Sequence, residues 1–478
     1  MAGTGPFTVA DRAQLADCGI PIAEAERQLA WLATTPPAAR LVRPATVGDG
    51  IERIRDDEIP ILLARAQEAQ ARGRFLKFVP ASGAASRMFR SLALIADRFP
   101  DGDAAAILAA ADQGDAEARE VIELCAVLPG MALGKALESR QPGGLPRFAN
   151  ATGARSLTSL FELLFSSFDS GRGLADLPKG LLPFHWAGGE ARTAFEEHLA
   201  EGQHYLRDAN GTSRFHFTVA GDFRARFGEE LERARRHLAR AGSGLEVAFS
   251  EQQSSTHALA LDEAGRPART ADGSLLLRPA GHGALLRNLA ETRGDLVFVK
   301  NIDNLLPESR HAGIAHWKWL LAGKLLEVEA SGRAPGPWRV CGVVAAGGEP
   351  GGGPFWVEGP QGETTLQIVE SAEVAASDAG QLQLFRSSTH FNPVDLVVAL
   401  RDPEGEPWNL DIFVDPARAL VAEKSESGRK LRVYERPGLW NGAMAGWNTI
   451  FVEVPGWTFA PVKTVLDLAR AEHLQPTR

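Results

Sequence analysis

Residues 78–88, FVPASGAASRM, combine an apolar run, a loop of small residues and an arginine. Small residues let the backbone approach a phosphate closely, the N-terminus of a following helix offers free N–H groups, and Arg87 presents a fork of donors. The residues that would line such a phosphate loop are Ser82, Gly83, Ala84, Ala85, Ser86 and Arg87. The Gly-Lys-[Ser/Thr] ending of a Walker A loop is missing, and by itself the pattern is better explained by an ordinary β-to-α turn.

Four lysines stand in apolar or loop settings, although lysine supplies only nine of the 51 basic residues. They are Lys77 in FLKFV, Lys179 in LPKGLL, Lys300 in VFVKNID and Lys463 in APVKT. Burying an ammonium group is costly unless an anion meets it, so each is a candidate phosphate ligand. The alternative is that each side chain extends its ammonium to water.

The sequence KNIDN (300–304) places Asp303 and Asn304 directly after an apolar run. A carboxylate at the end of a strand, with a lysine nearby, suits Mg²⁺ binding beside a phosphate. The alternative for Asp303 is a turn or a helix cap, which is a common use of aspartate.

Two further polar groups stand beside predicted helices or strands. RPAGHGALL (278–286) places Gly281 and Gly283 around His282, and the backbone of such a turn suits a nucleobase or ribose. A lone histidine there is more often structural than catalytic. SSTHFNPVDLV (387–397) supplies Thr389, His390 and Asn392 before a strand.

An alternation of strands and helices must position these residues. Predicted strands are RFLKFVP, RFHFTVA, LEVAFSEQ and DLVFVKNID, followed later by WRVCGVV, TTLQIVES, VDLVVALR, DIFV and NTIFVEV. The predicted helices between them include 86–99, 281–291 and 311–330. This order predicts an α/β fold with a mostly parallel sheet and helices on both faces. Ligands of such sheets bind at the carboxyl ends of the strands, where the candidate residues stand.

The chain divides into an N-terminal helical segment, 1–70, and an α/β domain, 71–470, with a helical insertion at about 101–205. The net charge of −9 argues against nucleic acid as the main partner. Three widely spaced cysteines indicate a reducing compartment without disulfides. The N-terminus does not read as a secretory signal, and no apolar run reaches the length of a membrane span. We therefore expect a cytoplasmic protein that does not bind a membrane.

Three stretches carry a resemblance to a known enzyme class. PASGAASRM is similar to the A-G-G-x-G-T-R-M signature loop of sugar nucleotidyltransferases, with Ser82, Gly83 and Ala85 at the three signature glycines, Ser86 at the threonine and Arg87 at the arginine. RPAGHGALLRNLAETRGDLVFVKNIDNL resembles a pattern of eukaryotic-type UDP-sugar pyrophosphorylases, and FAPVKTVLDL resembles their F-x-P-V-K-T-x-x-D-L ending. The matches follow the same order over about residues 75–470. The whole chain also resembles an uncharacterised bacterial family, a domain of unknown function placed near these enzymes.

The resemblance implies a Rossmann-related, GT-A-like nucleotidyltransferase fold with a mixed, mostly parallel sheet. It further implies Mg²⁺-dependent transfer of a nucleotidyl group from a nucleoside triphosphate, UTP by preference, to a sugar 1-phosphate, with release of pyrophosphate. Arg87 would stabilise charge on the pyrophosphate, Asp303 would hold Mg²⁺, and Lys463 would bind the sugar or α-phosphate. Gly281, His282 and Gly283 would line the nucleoside site, and Gln252 would read the base.

The chain also departs from the pattern of these enzymes. Alanine and serine at signature glycines add Cβ atoms where the backbone approaches phosphates. The lysine expected after the loop is missing, since Arg90 follows instead, and Lys77 or Lys179 is the candidate substitute. Two alternatives therefore stay open: a nucleotide or nucleotide-sugar binding protein without turnover, and a GT-A-type glycosyltransferase with Asp303 as its metal ligand.

Overall fold

A computed structural model describes residues 6–34, 36–142, 156–166, 173–238, 244–332, 335–347, 351–359, 361–426 and 429–474. Its α-helices are α1 (Val9–Asp17), α2 (Ile22–Thr34), α3 (Ile59–Ala71), α4 (Arg90–Arg98), α5 (Ala104–Asp112), α6 (Ala116–Val127), α7 (Ala132–Arg140), α8 (Thr158–Phe165), α9 (Ala194–Leu206), α10 (Arg224–Leu238), α11 (Leu286–Glu291), α12 (His311–Ala330) and α13 (Ala379–Arg386).

The strands form where β-branched and aromatic residues run together. They are β1 (Leu41–Pro44), β2 (Thr46–Val47), β3 (Gly50–Glu52), β4 (Phe75–Pro80), β5 (Pro183–Ala187), β6 (Glu190–Thr193), β7 (Thr212–Thr218), β8 (Gly244–Ser250), β9 (Ala260–Leu261), β10 (Leu296–Lys300), β11 (Trp338–Ala345), β12 (Gly353–Glu358), β13 (Thr364–Val369), β14 (His390–Ala399), β15 (Leu420–Glu426), β16 (Arg429–Glu435) and β17 (Asn448–Glu453).

The chain separates into two compact units. Unit 1 comprises Met1–Phe78, Ser250–Val299 and Lys318–Gly456, and unit 2 comprises Val79–Phe249, Lys300–Trp317 and Trp457–Arg478. The candidate phosphate loop, Asp303 and Lys463 all belong to unit 2.

The main sheet of unit 1 runs in the order β2-β3-β17-β11-β14-β10-β4. The pairs β2–β3, β3–β17, β17–β11 and β10–β4 are parallel, whereas β11–β14 is antiparallel. Every residue of β10 is buried, which is typical of a strand covered on both faces. Smaller antiparallel sheets, β1-β12-β13 and β15-β16-β9, accompany this sheet. The predicted mixed, mostly parallel sheet is confirmed.

Unit 2 contains an aromatic core beneath helix α9. Thr193 and Glu196 cap the start of this helix reciprocally, because the Thr193 hydroxyl accepts the backbone N–H of Glu196 and the Glu196 carboxylate accepts that of Thr193. The ring of Phe195 lies 4.6 Å from the ring of Phe217 and 5.4 Å from that of Phe227, between centroids. A hairpin of β5 and β6 leads directly into the helix.

Several predicted elements differ from the structure. DIFV is a 3-10 turn, Leu410–Phe413, rather than a strand, because the Asn409 side chain accepts the backbone N–H of Asp411 and caps the turn. The helix predicted from residue 86 begins at Arg90, after a turn. The helix predicted from residue 281 begins as a 3-10 turn, His282–Leu285.

Other differences concern the ends of the chain and the insertion. The N-terminal 70 residues contain strands β1–β3 besides their helices, and Ile51 of β3 is buried in the core of unit 1. Val465–Ala469 after Lys463 is a 3-10 turn. Residues 143–155 and 167–172 of the predicted insertion lie outside the described residues. The proposed domain boundaries stay a prediction.

Among the described residues, no helix is both long and apolar enough to pass through a bilayer.

Replacing Phe195 with alanine is expected to lower the free energy of unfolding by about 3–5 kcal/mol, because the ring is fully buried among other rings and leaves a cavity. Urea unfolding followed by tryptophan fluorescence measures the change. Val9→Ala is the control, since Val9 is 87% exposed and its truncation is expected to cost less than about 0.5 kcal/mol. Equal losses in the two variants would contradict the assignment of this core.

Candidate active site

The centre of the candidate site is Asp303, whose carboxylate binds two lysines at the same oxygen. Oδ2 lies 2.8 Å from Nζ of Lys179 and 3.1 Å from Nζ of Lys463. Lys179 also donates to the backbone carbonyl of Val462 at 3.0 Å. Residues that are far apart in the sequence therefore meet at one carboxylate.

The pKa of Asp303 lies below its ordinary value of 3.8. Burial alone would raise this pKa, but the positive charges of Lys463 and Lys179 and their hydrogen bonds outweigh the burial. The Lys179 side chain is 14% exposed and that of Lys463 is 60% exposed, so the two cations differ in their access to solvent.

Backbone hydrogen bonds hold the two segments that carry Asp303 and Lys463 side by side. We call residues 301–310 the Asp303 segment and residues 457–467 the Lys463 segment. Val462 N–H donates to the carbonyl of Asp303 at 2.9 Å, and Ala460 N–H donates to Oδ1 of Asn304 at 3.2 Å. The backbone N–H groups of Lys463 and Thr464 both donate to the Asp467 carboxylate at 2.7 Å, which fixes the turn after the lysine.

The small-residue loop lies directly beside these segments. Ala84 pairs with Pro178 in an isolated β-bridge, and Lys179 N–H donates to the carbonyl of Gly83 at 3.1 Å. Val465 N–H donates to the carbonyl of Met88 at 3.2 Å. The structure thus brings together the loop, Lys179, Asp303 and Lys463. Of the two predicted substitutes for the missing lysine, it is Lys179 that adjoins the loop.

The loop exposes the groups that an anion needs. Ser82, Gly83, Ala84, Ser86 and Arg87 are exposed, whereas Ala85 is buried and anchors the loop by donating its N–H to the carbonyl of Leu177. Within the described part of the chain, the Arg87 side chain has no hydrogen-bond or ion-pair partner, and the N–H groups of residues 82, 83, 86 and 87 have no acceptor. Unpaired N–H groups and a guanidinium together favour a phosphate.

The backbone of the loop does not require glycine. None of residues 82–87 has a positive φ angle. A Cβ atom built on Gly83 would meet nothing within 4 Å. Alanine and serine at the signature positions therefore strain nothing in the loop itself.

Asp303 also has the feature that a cation ligand needs. Its second oxygen, Oδ1, is buried and has no hydrogen-bond partner among the described residues. These residues contain no group of three or more His, Cys, Asp or Glu side chains that would hold a metal alone. A single carboxylate with a free oxygen fits Mg²⁺, because this ion is commonly held by one or two carboxylates together with substrate phosphates.

The other candidate lysines and Asn304 are buried. Lys300 is 1% exposed and its Nζ lies 2.7 Å from Oε2 of Glu201, which is itself fully buried. Lys77 is fully buried in unit 1. Asn304 is 1% exposed and its side chain accepts the Ala460 N–H described above. These three residues have structural contacts of their own, unlike Arg87.

The predicted nucleoside residues lie in unit 1. Gly281 has a φ angle of +77°, and a Cβ on Gly283 would lie 1.8 Å from the carbonyl oxygen of Pro437, so both positions need glycine. His282 Nδ1 accepts the N–H of Leu439 at 3.0 Å, and its ring stacks on Trp440 at 4.1 Å between centroids. Burial lowers the pKa of His282, against the charges of nearby glutamates.

Gln252 differs from the other candidates of unit 1, because its side-chain Nε2 is buried without an acceptor among the described residues. Thr389, by contrast, hydrogen-bonds to Nδ1 of His390 at 2.8 Å, and His390 Nε2 lies 3.3 Å from a carboxylate oxygen of Glu453. Asn392 Oδ1 accepts the N–H of Val394 at 3.3 Å. The polar groups of 389–392 thus serve contacts within unit 1.

A cluster of buried ionisable groups in unit 2 was not anticipated. His185, Glu197, His311 and His473 are each at most 4% exposed and lie in one continuous chain of contacts. The concentration of histidine in HW (185–186) and EEHLAEGQH (196–204) was the available signal, but the partner histidines stand more than 100 residues away.

Comparisons with known proteins identify the family and the fold of the chain. A family model described as a domain of unknown function, DUF4301, matches residues 8–335 and 333–474. Among curated proteins, none matches the chain significantly. The UDP-N-acetylglucosamine pyrophosphorylase of Trypanosoma brucei, solved with an inhibitor, is 14% identical, with a TM-score of 0.50 over 96% of this chain and 76% of that one.

A UDP-glucose pyrophosphorylase of Leishmania major, solved with UDP-glucose, is also 14% identical, with a TM-score of 0.50 over 98% of this chain and 79% of that one. At this identity the likeness concerns the fold. The predicted nucleotidyltransferase-type α/β fold and the resemblance to a family of unknown function are confirmed.

Replacing Lys179 with methionine is expected to raise the pKa of Asp303 and to lower the free energy of unfolding at neutral pH by about 2 kcal/mol, because a buried carboxylate loses one of its two cations. A carboxyl whose folded pKa is depressed stabilises the fold above its unfolded pKa, and loses that contribution as the pH falls through the folded pKa. The difference between wild type and Lys179→Met should therefore shrink as the pH falls below 3.8.

Urea unfolding across this pH range measures the difference. Lys424→Met is the matched control, since Lys424 pairs with Glu435 where both side chains are partly exposed. The free energy of unfolding of Lys424→Met should fall by less than about 1 kcal/mol. If Lys179→Met lowers the free energy of unfolding by the same amount down to the lowest pH, the stabilisation by Lys179 does not come from its ion pair with Asp303.

Proposed function

The chain belongs to the family described as a domain of unknown function, DUF4301, and because that description names no reaction, we propose its function from the site. We propose that the protein is a Mg²⁺-dependent sugar 1-phosphate nucleotidyltransferase. It transfers a nucleotidyl group from a nucleoside triphosphate, UTP by preference, to a sugar 1-phosphate and releases pyrophosphate. One observation carries the proposal: Asp303, with a buried free oxygen and two lysines, lies beside a loop that offers unpaired N–H groups and Arg87.

The reaction needs positioning and charge neutralisation. An oxygen of the sugar phosphate attacks the α-phosphorus, the bond from this phosphorus to the bridging oxygen breaks, and the electron pair leaves with pyrophosphate. A phosphate monoester is already ionised at neutral pH, so no general base is required. The site correspondingly offers cations and N–H donors.

Each residue of the site has a role in this scheme. Asp303 would hold Mg²⁺ through Oδ1, and the ion would neutralise charge on phosphate oxygens. Arg87 and the loop N–H groups would bind the pyrophosphate portion. Lys463, the more exposed of the two lysines, would bind the α-phosphate or the sugar phosphate. Lys179, fixed by Asp303 and the Val462 carbonyl, would replace the lysine that the signature lacks.

The proposed preference for UTP is supported by the residues that the resemblance assigns to the base and the nucleoside, and by the fold. The buried, unpaired Nε2 of Gln252 is a donor suited to a carbonyl oxygen of a base. Gly281 and Gly283 shape the turn that the resemblance assigns to the nucleoside. Two proteins with this fold are named for UDP-sugars, which supports the same class of substrate.

The decisive experiment measures pyrophosphate release from the purified protein with nucleoside triphosphates crossed against sugar 1-phosphates, with Mg²⁺ and with a chelator. Release that requires both substrates and stops with chelator supports the proposal and identifies the substrates. No release from any pair, with a nucleotide still raising the melting temperature, would instead indicate a binding protein without turnover.

Replacing Arg87 with alanine is expected to lower kcat about 100-fold or more, because the guanidinium would meet charge that develops on the leaving pyrophosphate. Arg90→Ala is the matched control, since Arg90 is an exposed arginine three residues further on and should leave kcat unchanged. The melting temperatures of both variants should equal that of the wild type. An undiminished rate in Arg87→Ala would remove this residue from the mechanism.

A further inference from the structure

The buried cluster of unit 2 forms one chain of contacts centred on Glu197. Nε2 of His311 lies 2.9 Å from Oε1 of Glu197, and Nδ1 of His185 lies 3.4 Å from Oε2. On its other side, Nε2 of His185 lies 3.0 Å from Nδ1 of His473. Arg192, which is 13% exposed, lies 3.4 Å from the same carboxylate and also pairs with Glu308.

The carboxylate of Glu197 is ionised. Burial favours its neutral form, but hydrogen bonds and charges of His185 and His311 hold its pKa well below the ordinary range. An ionised carboxylate without exposure requires its partners, since removing one leaves a buried charge uncompensated. The cluster is therefore held together as a unit.

The hydrogen bonds of His473 set the direction of its contact with His185. The pKa of His473 is lowered to about 3 by burial, with His185 and Arg470 adding to the effect, so this ring is neutral. It donates to the carbonyl of Ala460, and its Nδ1 therefore accepts from His185. Nδ1 of His185 faces the Glu197 carboxylate across the 3.4 Å separation, so the contacts run without a break from Glu197 through His185 to His473.

The chain of contacts ends at the two segments of the candidate site, the Asp303 segment and the Lys463 segment. His311 follows the Asp303 segment directly, and its Nε2 also lies 3.0 Å from the carbonyl of Leu306. His473 contacts Ala460 in the Lys463 segment. On the same helix as Glu197, His198 Nε2 lies 3.3 Å from the carbonyl of Ile302, the residue before Asp303.

We propose that Glu197 is a positioning residue of the Asp303 site: through His311 it fixes the Asp303 segment, and through His185 and His473 it fixes the Lys463 segment. The consequence for catalysis rests on the proposed function, whereas the placement of the two segments does not. Glu197 touches neither lysine of the site, so its effect is transmitted through the histidines.

Three substitutions test separately the contact through His311 and the contacts through His185 and His473. Glu197→Gln keeps the shape of the side chain but removes its charge, and hydrogen–deuterium exchange should become faster in both segments. His311→Gln should affect the Asp303 segment alone, and His473→Gln the Lys463 segment alone. The matched control is Glu196→Gln, a buried carboxylate on the adjacent position of the same helix that pairs with Arg233, and it should change neither segment.

Two readouts distinguish positioning from general support of the fold. In nitrogen NMR of labelled histidine, the His185 signals, assigned by their loss in His185→Gln, should change in Glu197→Gln and stay unchanged in Glu196→Gln, because only Glu197 contacts this ring. Turnover in Glu197→Gln should fall about 10- to 100-fold through kcat, with an unchanged KM for the nucleotide, as for other residues that orient ligands of an active site.

Exchange in Glu197→Gln that matches Glu196→Gln would overturn the proposal, as would faster exchange in both segments at unchanged kcat. If the wild type releases no pyrophosphate with any substrate pair, the proposed function fails. The exchange pattern and the His185 NMR signals still decide in that case whether Glu197 positions the two segments.

Discussion

One buried carboxylate with two lysines on a single oxygen is the interaction on which the candidate site depends. Lys179, Asp303 and Lys463 come from segments separated by more than 120 residues each, and only charge compensation at Asp303 joins their side chains. An unpaired carboxylate at this depth would be strongly destabilising, and so would an unpaired ammonium on Lys179, whose side chain is 14% exposed. The sum of the three charges is positive, and Arg87 adds a further cation. Apart from the free Oδ1 of Asp303, the site therefore favours an anion.

The two lysines differ in how readily they can leave Asp303. Lys463 is 60% exposed, so water would solvate its ammonium once the ion pair opened. Lys179 is 14% exposed and holds a second bond to the Val462 carbonyl, which makes its displacement more costly. In the proposed reaction, an arriving phosphate would take Lys463 from the carboxylate while Lys179 stayed. Burial, rather than residue type, would then assign the lysines their different roles.

The sequence predicts well what depends on local pattern and poorly what depends on distant charge pairs. Alternating strands and helices identified the sheet, inspection of strand ends pointed to the loop and Asp303, and the search for lysines in apolar or loop settings pointed to Lys463. Helix α9 was not recognised as buried, because AFEEHLAEGQHYL reads as a polar surface helix. Its carboxylates meet partners remote in sequence: Arg233 for Glu196, His311 for Glu197 and Lys300 for Glu201. Hydrophobic periodicity contains no information on such partners.

The same distinction explains how the phosphate loop can lack two signature glycines. Glycine is required where φ is positive, as at Gly281, or where a neighbouring segment of the same chain leaves no room for a Cβ atom, as at Gly283. Neither condition holds from residue 82 to 87. What remains is the need for small side chains where the backbone would meet phosphate oxygens in the proposed function, and serine and alanine are the smallest after glycine. What matters in this loop is therefore that its side chains are small, and not that its backbone can adopt positive φ angles. A motif that specifies only glycines would miss such a loop.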